Sequence, residues 1–307
     1  MPLAVHAATS DPLLAAEFLD ASLGWACGGG GAIFRTRDGG AEWARLESGT
    51  GSDLNAIRFV TPDSGWAAGE GGLILATADG GETWIPQAEG AGGNLYGLDF
   101  FDSGLGFAVG RDGLILGTKD GGSTWVPRPS GTGEYLRAVH FPSRDTGYAC
   151  GYRGTLVRTV DGGRSWSLMA TGTSWSLTAL HFLDGRRGWA AGYNGTVLMT
   201  RDAGVTWVPQ DAGAPIGLNA VRFADSANGW AAGGGGLLLR TSDGGAHWRM
   251  AASGTTLALH ALAVAEGGWL WAAGGKGLVL RSPGAPLRVS APDSLPVTAG
   301  PPPDSAD

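Results

Sequence analysis

Residues 65–84 read GWAAGEGGLILATADGGETW, and this pattern returns along the 307-residue chain at a constant spacing. An aromatic residue that precedes an alanine recurs every 41 residues, at Trp25, Trp66, Phe107, Tyr148, Trp189, Trp230 and Trp271. A leucine opens each of these seven units, and no unit carries an insertion. Strict self-similarity at a period of about 20 to 50 residues indicates a fold built by repeating one small unit.

The second unit shows which structure each repeat adopts. Leu54–Phe59, Gly65–Gly69 and Leu73–Thr77 are short runs rich in apolar residues, and turn sequences separate them. Such runs predict strands, and the turn Asp79–Trp84 leads into a fourth strand. Four strands in about 40 residues match one blade of a β-propeller. We therefore predict an all-β, seven-bladed β-propeller with four antiparallel strands per blade.

The turn before the fourth strand repeats an Asp-X-Gly motif that is followed by tryptophan. Aspartate at such a place accepts hydrogen bonds from backbone N–H groups ahead of it, and the tryptophan packs as a large apolar wedge. The six acids are spread around the rim of one face and cannot converge on a substrate, so we predict a structural role and no catalytic one. They are Asp38, Asp79, Asp120, Asp161, Asp202 and Asp243.

This motif resembles the Asp-box, or BNR-type, repeat, and the longer unit quoted above is similar to that of the photosystem II assembly and stability factors. The resemblance extends over residues 13–282. It implies a non-catalytic propeller that docks through an arginine-rich surface on protein subunits of a membrane complex, and a periplasmic location. Arg111, Arg137 and Arg153 are the counterparts of that surface by resemblance.

The two ends of the chain determine how the ring closes. We assign residues 1–291 to the propeller and predict that residues 2–8 complete blade 7, because they fall at the repeat phase of a fourth strand. Closure of this kind removes open strand edges. Residues Leu287–Ala291 compete for the same place, and the sequence leaves that choice open. Residues 292–307 include PPPDSAD and are typical of a proline-rich flexible tail.

Composition excludes several classes of function. The formal net charge of −7 argues against nucleic-acid binding, which draws on positive charge. No run of about 18 apolar residues is present to span a membrane, and the first residues lack the pattern of a signal peptide. We expect a monomeric propeller peripheral to a membrane, cytoplasmic if the start is genuine. Cys27 and Cys150 share one repeat position far apart on the ring, which indicates small core residues and no disulfide.

The blades differ most in the turn after the second strand, on the face that we call the top. This turn holds only glycine in blades 1 and 6 but carries large polar side chains in blades 3, 4 and 5. Tyrosine, tryptophan and arginine are enriched where proteins dock, so this sector is a candidate partner-binding surface. Ordinary surface decoration is the alternative. The candidate residues are Tyr96, Arg111, Arg137, Tyr152, Arg153, Trp175, Tyr193 and Asn194.

Charge is also unevenly distributed. Residues 128–201 contain nine arginines and four acidic residues, a balance of +5, so the rest of the chain carries −12. A basic sector of this size can steer an acidic partner or lie near anionic headgroups. Several of these arginines belong to the opposite, bottom face.

One position of the innermost strand supplies a ring of side chains to the central channel, and two of them, His140 and His181, are neighbours. They could ligate a metal ion if Asp99 supplied a third ligand. A solvated polar lining of mixed sign is the alternative that we prefer, and we predict no metal and no cofactor. The ring consists of Glu17, Arg58, Asp99, His140, His181, Arg222 and Ala263.

Together these features favour a non-catalytic protein-docking scaffold. The resemblance implies an accessory or assembly and stability subunit of a membrane complex, with a photosynthetic complex as the candidate. The alternative is a glycan-binding or sialidase-like propeller, with Glu70, Asp112 and Tyr152 as candidate groups in the top funnel. A purely structural repeat module without a dedicated site is a third reading.

Overall fold

The computed structural model describes residues 3–282 except residues 8, 89 and 91. In this part of the chain, seven four-stranded antiparallel sheets are present, and the predicted seven-bladed β-propeller is confirmed. The first strands of neighbouring blades contact one another around the ring, including those of blades 7 and 1. Among the described residues, no helix is long and apolar enough to cross a membrane.

Each blade begins at the central channel and proceeds outward. The first strands are Leu13–Phe18, Leu54–Phe59, Leu95–Phe100, Leu136–His140, Leu177–Phe182, Leu218–Phe223 and Leu259–Ala265. The second strands are Gly24–Gly28, Gly65–Gly69, Gly106–Gly110, Gly147–Gly151, Gly188–Gly192, Gly229–Gly233 and Trp269–Gly274. The third strands are Ile33–Thr36, Ile74–Thr77, Ile115–Thr118, Leu156–Thr159, Val197–Thr200, Leu238–Thr241 and Leu278–Ser282.

The fourth, outermost strand is the shortest in most blades. In blade 7 this strand comes from the N-terminal end of the chain. The fourth strands are Ala44–Leu46, Ile85–Ala88, Val126–Pro127, Ser167–Leu168, Val208–Gln210, Arg249–Met250 and, in blade 7, Leu3–His6. Leu3–His6 runs antiparallel to Leu278–Ser282, with Val5 opposite Val279. The competing segment Leu287–Ala291 and the tail 292–307 lie outside the described residues.

Aromatic residues form the core between adjacent blades. Trp25 of blade 1 stacks on Phe59 of blade 2 with ring centroids 3.6 Å apart, and the wedge residue Trp84 meets Phe59 edge-on at 6.0 Å. The indole N–H of Trp25 also donates to the carbonyl oxygen of Gly80, in the next Asp-box turn, at 3.0 Å. Because this arrangement recurs between blades, the rows of aromatic residues in the sequence join the sheets into a ring.

Candidate functional site

The top face is formed by one-turn 3-10 helices that connect the second and third strands. They are Gly29–Gly31, Glu70–Gly72, Arg111–Gly113, Tyr152–Gly154, Tyr193–Gly195, Gly234–Gly236 and Gly275–Gly277. The first N–H of each turn donates to the residue before the opening leucine of its own blade, as Tyr152 N donates to Tyr135 O at 2.9 Å. These bonds hold the turn beside the start of the inner strand.

The second residue of the turn adopts a left-handed backbone conformation that favours glycine. Glycine occupies it in blades 1, 2 and 6, whereas Asp112, Arg153 and Asn194 have φ between 53° and 55° there. Asparagine and aspartate tolerate this region, but an arginine is strained by about 1 kcal/mol relative to glycine. Blade 4 therefore displays a strained arginine on the top face.

The residue before the opening leucine also links neighbouring blades at the top. Asp53 Oδ1 accepts from Gly30 N of the preceding blade at 2.8 Å, and Asn94 Oδ1 accepts from Gly71 N at 3.0 Å. Blade 4 has Tyr135 at this position, and its aromatic side chain stacks on its neighbours. The top face of blades 3 and 4 is therefore organised by ring contacts.

Three tyrosines and two arginines meet at this place, and we call them the tyrosine cluster. The ring of Tyr135 stacks on that of Tyr96 at 6.3 Å and tilts toward that of Tyr152 at 5.1 Å. The guanidinium carbon of Arg111 lies 5.4 Å from the centroid of Tyr135, and that of Arg137 lies 4.8 Å from the centroid of Tyr96. These distances are those of cation–π contacts, so both arginines lie on aromatic faces.

The tyrosine cluster is half-buried and remains accessible from the top. Burial raises the pKa of the Tyr152 phenol, although the charge of Arg137 acts in the opposite direction. The phenol therefore stays protonated near neutral pH and can donate or accept a hydrogen bond. Rigid aromatic rings with polar edges, placed beside arginines, are the side chains that dominate protein interfaces.

Four of the eight predicted binding residues belong to the tyrosine cluster, namely Tyr96, Arg111, Arg137 and Tyr152. Arg153 is 81 % exposed at its side chain and pairs with Glu134 at 3.2 Å. Trp175, Tyr193 and Asn194 lie on blade 5 beside the cluster. Within the described residues, no ring stacking joins Trp175 to it, although 42 % of Trp175 is exposed.

Tyr135 is the member that sequence reasoning missed. The signal was available, because the equivalent position holds Pro12, Asp53, Asn94, Ser176, Gly217 and Ala258 in the other blades. An aromatic residue among small and polar equivalents marks a departure from the repeat. Tyr135 lies outside the top turn and the second position of the inner strand, which carry the other predicted residues of the cluster.

The groups considered for glycosidase chemistry lie on the top turns of three successive blades. Glu70, Asp112 and Tyr152 are all in these turns, and within the described part of the chain no hydrogen bond or ion pair connects one of them to another. Asp112 is 71 % exposed at its side chain and lies 3.7 Å from Arg111 Nε. Among these three groups, therefore, the described part of the structure joins no two carboxylates.

The Asp-box acids are engaged within their own turns on the bottom face. Asp79 Oδ1 accepts from Thr77 Oγ1 at 2.7 Å and from Thr83 N at 2.9 Å, and Asp79 Oδ2 accepts from Thr83 Oγ1 at 2.6 Å. Hydrogen bonds from Thr83 and Thr77 lower the pKa of Asp79 to about 2. Asp38, Asp120, Asp161, Asp202 and Asp243 make equivalent contacts.

Four side chains of the channel lining, of mixed sign, form a connected network. Arg58 pairs with Glu17, and its Nε lies 3.1 Å from Asp99 Oδ1, while His140 Nδ1 lies 3.5 Å from Asp99 Oδ2. Burial alone would raise the pKa of Asp99, but Arg58, His140 and the N–H of Phe141 outweigh it and hold the pKa at about 2. Among the described residues, no group of three potential ligands could hold a metal ion.

Fold and turns together define the class of this protein, a seven-bladed propeller with Asp-box turns and an aromatic–arginine cluster on its top face. A family model described as "Photosynthesis system II assembly factor YCF48" matches residues 3–89, 87–170 and 129–212. The matches cover more than half of the chain, which therefore belongs to this family, and the resemblance seen in the repeat is confirmed. A comparison with curated proteins gave no match.

Solved structures show the same architecture at low identity. A structure titled "YCF48 bound to D1 peptide" is 22% identical with a TM-score of 0.77, and the match covers 92% of this chain and 96% of that one. YCF48 from Cyanidioschyzon merolae is 23% identical with a TM-score of 0.76, covering 92% and 98%. The GH74 xyloglucanase from Xanthomonas campestris is 17% identical with a TM-score of 0.70, covering 91% and 53%. These likenesses show the fold.

Proposed function

We propose that this protein is a non-catalytic docking subunit that binds a protein partner through the tyrosine cluster on its top face. The observation that carries the proposal is the cluster itself, in which Tyr135 stacks on Tyr96 and tilts toward Tyr152. Arg111 and Arg137 lie over two of these rings. Rigid rings and pre-positioned guanidinium groups lose little conformational entropy when a partner binds.

The partner that we propose is a subunit of a photosynthetic membrane complex, with photosystem II as the first candidate. Family membership supports this choice, and a related protein has been solved with a D1 peptide. The protein would act from the periphery of the membrane as a single propeller during assembly of the complex. Arg111, Arg137 and Arg153 on the top face favour a partner segment that carries acidic residues.

Flanking residues extend the proposed surface toward blades 4 and 5. Arg153 is exposed and held in a strained conformation, while Trp175 presents an indole ring at the same face. Tyr193 and Asn194 continue the surface on the next turn. We propose that these four residues form the rim around the tyrosine cluster.

The test is a binding titration with a D1 peptide, followed by copurification of partners from cells. A variant in which Arg111, Arg137, Tyr152 and Arg153 are replaced by Ala is expected to lose binding by at least about a hundredfold, because several central contacts disappear together. The control replaces Arg186 and Arg201 by Ala, since both are exposed on the bottom face. Undiminished binding by the top-face variant would contradict the proposal.

A further inference from the structure

Two arginines occupy the same position of the inner strand in blades 2 and 6, but their surroundings differ. Arg58 lies between two carboxylates: it pairs with Glu17 of the preceding blade, and its Nε lies 3.1 Å from Asp99 Oδ1 of the following blade. Arg222 has His181 and Ala263 at those two places. Arg58 and Arg222 can therefore be compared directly. Both carboxylates that flank Arg58 are replaced by other residues at the positions that flank Arg222.

Arg222 makes its hydrogen bonds with backbone carbonyl groups. One terminal nitrogen donates to Val221 O at 3.0 Å and to Leu180 O at 3.5 Å. No carboxylate oxygen lies within ion-pair distance of it in the part of the chain that the structure describes. Burial lowers the pKa of the Arg222 guanidinium, although the charges of Glu17 and Asp99 act in the opposite direction.

His181 does not replace the missing carboxylate. Its Nε2 lies 3.1 Å from Phe223 O, and this nitrogen carries a proton because a carbonyl oxygen can only accept. Burial lowers the pKa of His181 well below its usual value, and the charge of Arg222 adds to that effect. The imidazole is therefore neutral and contributes no negative charge to balance Arg222.

Space for a ligand exists on this side of the ring. Arg222, His181 and Ala263 line the same central cavity, which encloses about 440 Å³. A cavity of this size falls in the range of small-molecule sites. Thr178, on the blade before blade 6, also lines this cavity and adds a hydroxyl group.

We propose that the channel binds a small organic carboxylate between Arg222 and Ala263, at the place that the Asp99 side chain takes beside Arg58. The planar guanidinium fork matches a carboxylate in a two-point contact. Glu17 lies on blade 1, the next blade after that of Ala263, and together with Asp99 it would repel a phosphate dianion more strongly than a monoanion. The site lies in the channel and stands independently of partner docking by the tyrosine cluster.

Calorimetric titration of the full chain tests this proposal. Sodium acetate and sodium propionate, which supply carboxylate monoanions, are titrated into the protein and compared with sodium phosphate and sodium chloride at equal ionic strength. We expect saturable binding of the carboxylates, with phosphate and chloride at least about tenfold weaker. Absence of saturable carboxylate binding, or tighter binding of phosphate, would overturn the proposal.

Two substitutions at one position separate charge from volume. Ala263→Asp places a carboxylate beside Arg222, whereas Ala263→Asn fills the same space without charge. The Asp variant is expected to lose carboxylate binding and to melt at a higher temperature than the Asn variant. Equal melting temperatures, or unchanged carboxylate affinity in the Asp variant, would refute the proposal. If neither variant folds, Arg222→Lys decides, because loss of the fork must weaken carboxylate binding by about tenfold.

Discussion

The guanidinium group of Arg137 lies over the ring of Tyr96, 4.8 Å from its centroid, although the two residues belong to different blades. They occupy the same position of their inner strands, 41 residues apart. At that position blades 2, 5 and 6 use Asn55, Thr178 and Asn219 to donate to the leucine carbonyl of the next blade. Blades 3 and 4 thus use a structural position of the repeat for an aromatic–cation pair on the top face.

This pair predicts a measurable coupling in partner binding. Arg137→Ala and Tyr96→Ala should each weaken binding of a D1 peptide, and the double variant should weaken it by less than the sum of the two. The expected coupling is about 1 kcal/mol, since the ring holds the guanidinium in place. Additive effects in a double-mutant titration cycle would show that the two side chains act separately.

Arg153→Gly should improve stability while it impairs function. The substitution relieves a left-handed conformation at φ 53°, which glycine adopts without strain. We expect the free energy of unfolding to stay equal or to rise by up to about 1 kcal/mol, and partner affinity to fall. Urea unfolding and peptide titration on the same preparation measure both. Asn194→Gly is the control on blade 5, because asparagine tolerates this backbone conformation. A clear loss of stability in Arg153→Gly would be inconsistent with strain at Arg153.

Two neighbouring glycines should respond very differently to alanine. A Cβ at Gly69 would lie 1.9 Å from the carbonyl oxygen of Asp53, whereas a Cβ at Gly71 would meet nothing within 4 Å but has φ +67°. We expect Gly69→Ala to cost about 3 kcal/mol and Gly71→Ala about 1 kcal/mol. The denaturant midpoints of the two variants are compared. Equal losses of unfolding free energy would contradict the close approach of the Asp53 carbonyl oxygen to Gly69.

Acid should weaken the propeller through its carboxylates. The pKa of Asp99 is about 2 in the folded protein, below its usual value of 3.8. Because the folded pKa is the lower one, this carboxylate stabilises the fold fully above about pH 4 and loses that effect as the pH falls toward 2. Asp99→Asn should remove about 2 kcal/mol at neutral pH and flatten the decline between about pH 4 and 2.

The control for this prediction is Asp63→Asn, at an exposed turn. Unfolding midpoints are measured at several pH values for the wild type and both variants. Asp63→Asn should keep the pH dependence of the wild type. An equally steep decline in Asp99→Asn would show that the acid sensitivity arises elsewhere.

The sequence was sufficient for the architecture because each blade repeats the same physical requirements. Trp66, Phe100 and Gly69 belong to such recurring positions. Among the described residues an aromatic pair stacks at six blade interfaces, whereas Trp230 packs in one cluster with Val264 between blades 6 and 7. The glycine lets the carbonyl group that precedes each inner strand come close to the end of the second strand. The strand bounds of the second unit were predicted to within one residue. Its third strand begins at Ile74 because Leu73 closes the preceding turn by donating to Glu70 O.

The site could be predicted only in part, because it depends on where side chains turn between blades. The positions of Tyr96, Arg137 and Tyr152 in the repeat were enough to predict that these residues lie in one sector of the top face. Whether Tyr135 would stack between them depends on its rotamer, which the repeat does not specify. The repeat does not specify side-chain direction in the channel either. Arg58 contacts the carboxylates of two neighbouring blades, whereas Arg222 donates to backbone carbonyl groups.

The most direct test of partner docking by the tyrosine cluster is hydrogen exchange, measured on the free protein and on the protein with a D1 peptide bound. Binding at the cluster predicts slower exchange in residues 94–97, 134–137 and 152–154 on the top face, with unchanged exchange in the Asp-box turns. Slower exchange confined to the Asp-box turns, with no change around Tyr135, would contradict the account.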